Sequence, residues 1–104
     1  MADRYSDAPF LRFVDAWVLK AIGHLDKATE EYCVAMVPHL ERSFGLRGSW
    51  DEIVAQRMDF DAGLAARIQA IWTEGKARFE EANGRPAEPV QFAMIFVDRN
   101  FSNI

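Results

Sequence analysis

A chain of 104 residues with 50% hydrophobic, 12% aromatic and 27% charged side chains has the length of one domain and the composition of a globular protein, far from the low-hydrophobicity, high-charge class of disordered chains. Its net charge of -4 and pI near 5.1 weigh against broad binding to a phosphate backbone, because that affinity comes from Lys and Arg displacing condensed counterions. The first ten residues hold acids and no apolar stretch, no run approaches the ~18 apolar residues of a membrane-spanning helix, and the single Cys33 cannot form an internal disulfide; these features predict a cytoplasmic chain, one domain over residues 1–104, with no membrane association.

Phe10, Leu11, Val14, Trp17, Val18, Ala21, Ile22 and Leu25 recur at helical spacing and predict a helix over residues 8–23, with Asp7 and Pro9 at its start and Gly23 at its stop. Asp26 can cap a second helix over 27–44, whose stripe is Thr29, Cys33, Met36, Val37, Leu40 and Phe44 and which Gly45 can close. Pro38 falls inside it. A proline there removes one backbone hydrogen bond and clashes with the preceding turn, at a cost of about 3 kcal/mol or more, so the helix is either kinked or split at Val37, and a kink is the expectation.

Ser49 and Glu52 form a capping box and open a third helix over 50–59 carrying Trp50, Ile53, Val54 and Met58. Asp61 reads as the cap of a fourth, over 62–83, with Leu64, Ile68, Ile71, Trp72, Gly75, Phe79 and Ala82 on its stripe and Asn83-Gly84 as its stop. Gly75 on that stripe predicts a close crossing with another helix. From Pro89 to Val97 the chain is apolar on nearly every side, a pattern shared by buried helices and buried strands. Helix over 89–99 is the better reading, since a lone strand lacks a ladder partner and Pro89 suits a first helical turn. The fold class is therefore all-α, a four- or five-helix bundle-like single domain.

Catalytic chemistry finds little support. His24 and His39 have no metal-pair partner at helical spacing, and Cys33 shares an apolar stripe with Met36, Val37 and Leu40, as a small core residue does. Asp7, Asp26, Asp51, Glu52 and Asp61 stand near predicted helix starts, where negative charge is stabilising. Glu30-Glu31 and Glu80-Glu81 are sequence neighbours that do not face one another on a helix. No phosphate loop, nucleophile elbow or zinc-protease motif occurs. No catalytic residue, metal ligand or cofactor is predicted.

Binding is better represented. Arg42, Arg47 and Arg57 could converge near the start of the third helix as an anion site. Residues 52–72 can be compared with a DNA-binding helix-turn-helix, although Asp59 and Asp61 would meet the phosphates and Arg67 alone is a thin contact set. A cavity lined by Trp17, Met36 and Trp72 would suit a small apolar ligand. The strongest expectation comes from the aromatic surplus near the C-terminus: Phe92, Phe96 and Phe101, with Trp50 as a further candidate at an exposed helix start, form the predicted anchors of a protein interface. The chain is thus expected to be a small helical interaction module that self-associates, a homodimer, with nucleic acid an unfavoured partner.

Overall fold

Local chemistry fixes most helix ends in the computed structural model, which describes Tyr5 and residues 9–101. The first helix, α1, spans Leu11–Ala21 and is stopped by Gly23 at φ 77°. There the Gly23 and His24 N–H groups donate back to the Lys20 and Leu19 carbonyls, the paired closure that a left-handed glycine permits. Its start differs from expectation: Asp7 lies outside the described residues, and Pro9 precedes the helix in a turn rather than occupying its first turn.

Asp26 caps α2, Lys27–Ala35, accepting from the Thr29 N–H at 2.9 Å and the Thr29 hydroxyl at 2.7 Å. These bonds hold its carboxyl below the usual range. Pro38 does more than kink the predicted second helix. The helix divides at Met36, which ends α2 and caps α3, Val37–Phe44, leaving Pro38 in the first turn of α3, where a missing N–H is harmless.

The capping box forms as predicted at the head of α4, Trp50–Met58: Glu52 Oε1 accepts from the Ser49 N–H at 3.0 Å, and Ser49 Oγ accepts from the Glu52 N–H. Asp59 ends α4 in a left-handed conformation, φ 55°, which a short polar side chain tolerates better than others. The fifth helix, α5, spans Leu64–Asn83 and α6 spans Pro89–Asn100, with Pro89 in its first turn. Among the described residues there are six helices and no strand, an all-α, bundle-like arrangement in which the extra helix is the product of the break at Met36.

The core is built around α1. Its buried residues Phe13, Val14, Ala16, Val18 and Leu19 point to several sides, and it packs against α2, α4, α5 and α6. Asp15 is buried among them and accepts from the Tyr5 hydroxyl at 2.9 Å, so the charge-bearing group has a donor. Ile53 and Val54 of α4, Ile68 and Trp72 of α5, and Ala93 and Val97 of α6 complete the packing. The small Leu40 and Cys33 contributions tie α3 and α2 to the same cluster.

Candidate functional site

Twenty residues make α5 about 30 Å long, yet its buried side chains, Ile68 and Trp72, both lie in its first half. The second half runs past the core. The connection over 84–88 then returns the chain to α6, held by an Ala87 N–H that donates to Glu80 Oε2 at 3.4 Å. Both helices lean on α1 and make little direct backbone approach to each other.

An open groove of about 270 Å³ therefore lies between them. Its more buried lining is Trp72, Phe79, Ala87 and Phe92, and its exposed lining is Gly75, Lys76, Arg85, Glu88, Gln91 and Ile95. The Arg85 guanidinium sits 5.4 Å from the Phe79 ring centre. Lys76 and Glu88 make no ion pair among the described residues. Large apolar side chains stand exposed on the same two helices: Ile71 is 49% exposed, Val90 51% and Ile95 46%. Of these three only Ile95 lines the hollow, whose rim carries Lys76, Arg85 and Glu88.

The predicted aromatic anchors are placed differently from expectation. Phe92, Phe96 and Phe101 are half-buried and form one run of ring contacts: Trp72 to Phe92 at 5.1 Å, Phe92 to Phe96 at 6.0 Å, Phe96 to Phe101 at 5.9 Å. Phe101 continues it to Phe60 at 5.0 Å, and Phe60 to Trp17 at 4.7 Å. The run seals α6 to the rest of the molecule, and of the three only Phe92 also lines the groove. Trp50 is a correction. It is 2% exposed, with the Lys20 ammonium 5.5 Å from its ring centre and its indole Nε1 buried without a hydrogen-bond partner. It starts a helix whose first turn faces α1, so it is core and presents nothing to a partner. Gly75 is another: nothing lies within 4 Å of the position a Cβ would take, so no helix crosses there and the glycine lies open on the groove.

Arg42 and Arg47 line one shallow depression with Pro38, Glu41, Gly45 and Leu46. Arg57 instead lies over the Phe44 ring, 5.4 Å from its centre. Near them, the first turn of α4 already carries Asp51 and Glu52, and Ser49 accepts from one of its free N–H groups, which offsets its pull on an anion. In the 52–72 region Arg67 is held by Asp61 in a two-point bridge at 2.8 and 3.0 Å, and the same contact lowers the Asp61 carboxyl. The one cation proposed for nucleic acid is thus engaged by an acid. Trp17 and Trp72, expected to share a hollow with Met36, line separate depressions among the described residues: Trp17 one with Lys20, Asp51 and Ala65, and Trp72 the groove.

Cys33 is fully buried, and desolvation pushes its thiol up to about 11, so it is protonated and unreactive near neutral pH. His24 is exposed with its ring 5.5 Å from Trp72, and His39 is exposed. No group of His, Cys, Asp and Glu among the described residues could hold a metal ion, and no described helix is long and apolar enough to cross a membrane.

Sequence reasoning missed Ile71, Lys76, Phe79, Arg85, Glu88 and Ile95 as members of a surface. Ile71 and Phe79 share the helical stripe of Ile68 and Trp72, and periodicity alone assigns all four to one core. Compared with known proteins, the chain matches no protein-family model, no curated protein and no solved structure.

Proposed function

We propose that this chain is a small helical protein-interaction module that self-associates, and that the α5–α6 groove is its binding surface. The observation that carries the reading is the coincidence of an open, largely apolar hollow of about 270 Å³ with the exposed Ile95 in its lining, and with the exposed Ile71 one turn before the lining residue Gly75 on α5. Isolated exposed aliphatics are ordinary, whereas an exposed aliphatic bordering an apolar hollow with a charged rim favours a partner. The cytoplasm is the compartment that suits it, since a single buried thiol needs no oxidising environment.

Sedimentation equilibrium tests this directly. The wild-type chain is expected to approach twice its 11.9 kDa mass as concentration rises, and Ile95→Asp to remain monomeric with unchanged helical circular dichroism, because Ile95 is 46% exposed. A wild-type chain that stays monomeric across the range would overturn the self-association. A second reading, a small apolar ligand in the groove, draws on its Trp72–Phe92 pair; Trp fluorescence on titration with an apolar dye would report it.

A further inference from the structure

We infer that the groove is filled by the same face of a second copy across a two-fold axis, so that two α5–α6 hairpins close into a four-helix arrangement with Lys76 of each copy against Glu88 of the other. The inference rests on the proposed reading of the groove as the self-association surface and adds its partner geometry.

Two features of the patch point to a copy of itself. First, it is both concave and convex. The hollow over Trp72, Phe79 and Phe92 is bordered by the exposed Ile95, with Ile71 one turn before Gly75 on α5. Under a two-fold operation each surface meets itself, so a patch must supply both the hollow and the side chains that fill it. Second, its uncommitted charges are of opposite sign. Arg78 is bridged to Glu74 and Arg85 covers the Phe79 ring, while Lys76 on α5 and Glu88 beside the start of α6 have no ion-pair partner among the described residues. A rim of one sign would repel its copy; a Lys on one helix and a Glu by the other can pair twice across the axis. The open position beside Gly75, with nothing within 4 Å of its Cβ site, removes a side chain from the place where a second pair of helices would approach. Two helical hairpins packed this way give the ordinary solution of a four-helix bundle.

The test uses full-length chains and charge reversal, read by sedimentation equilibrium with circular dichroism as the folding control. Lys76→Glu places Glu against Glu twice in a symmetric pair, and Glu88→Lys places Lys against Lys twice. Each variant alone is expected to weaken self-association at least tenfold. An equimolar mixture of the two is expected to recover wild-type affinity as a mixed dimer, since both cross-axis pairs are then attractive, and the doubly reversed chain is expected to recover it alone. If Ile95→Asp abolishes association but the mixture shows no recovery, the two-fold pairing is overturned and the groove stands as the surface. If the wild type never associates, the self-association reading itself fails. Mass that grows beyond the dimer would indicate a head-to-tail contact and would also overturn the two-fold arrangement.

Discussion

The helices α1 and α6 are both apolar for most of their length, and the molecule treats them in opposite ways. Around α1 stand four other helices, and its residues from Phe13 to Leu19 are buried except for the half-buried Trp17. Among the described helices α6 has a close backbone approach to α1, with side-chain contact from Trp72 of α5, so Ala93 and Val97 are buried while Phe92, Met94 and Phe96 are half-covered and Val90 and Ile95 are open. Apolar composition is thus a demand for cover, and which helix receives it is decided by the elements that arrive beside it. The Ile95 side of α6, together with the outer half of α5, is where the demand is unmet within one chain.

Placing the same charge on each helix gives the widest separation. Val18 is fully buried in α1, and Val18→Asp would leave a carboxylate without partners in the core, so loss of the cooperative unfolding transition is expected. Ile95→Asp puts the same group at a 46% exposed position of α6, and at a concentration too low for association it should leave the urea midpoint close to wild type. Equal destabilisation by both would mean that α6 is as enclosed as α1. Between these lies Phe96, half-buried against Phe92 and Phe101. Phe96→Ala is expected to cost about 2 kcal/mol, below the ~3–5 kcal/mol of a fully buried Phe; it should lower stability more than it changes association, because this ring belongs to the seam.

How much of this was legible in the sequence follows the range of the forces involved. Asp26, the Ser49–Glu52 pair, Gly23, Gly84 and Pro89 act within one turn of the backbone, and each ends or starts a helix where its chemistry predicts. Even the break near Pro38 was legible, though as a kink. Trp50 was misplaced because a helix start is exposed only if nothing packs against it, and here α1 does. Phe92 and Phe96 were expected as outward-facing anchors but are half-buried, because their neighbours Trp72 and Phe101 come from across the turn and from the helix end. The groove was invisible for the same reason: it is a gap between two helices, and a periodic stripe does not state where its partner stops.

A smaller effect comes from acid. Asp26, Glu52 and Asp61 have carboxyls lowered below their usual values, chiefly by Thr29, by Ser49 and by Arg67 respectively. A carboxyl lower in the folded than in the unfolded state stabilises the fold above the unfolded value and loses that contribution as pH falls through the folded one. The urea midpoint should therefore hold from pH 7 to about 5 and fall below about 4. Asp26 and Glu52 lie at the starts of α2 and α4, whereas Asp61, expected as a helix cap, sits in the turn before α5, whose N-cap is Gly63; none of the three is on α6, so an acid-induced loss of association without loss of the midpoint would separate the two regions again.

The finest discrimination is at Gly75. A glycine at a tight helix crossing is required, and an added methyl there would force the two backbones apart. Gly75 has open space where its Cβ would stand, so in the monomer only its helical entropy cost remains, about 0.5–1 kcal/mol relative to Ala. Gly75→Ala, measured by thermal unfolding at a concentration too low for association, should accordingly raise Tm by a few degrees. A fall in Tm under those conditions would place a packed neighbour against α5 and close the groove on which the interaction surface depends.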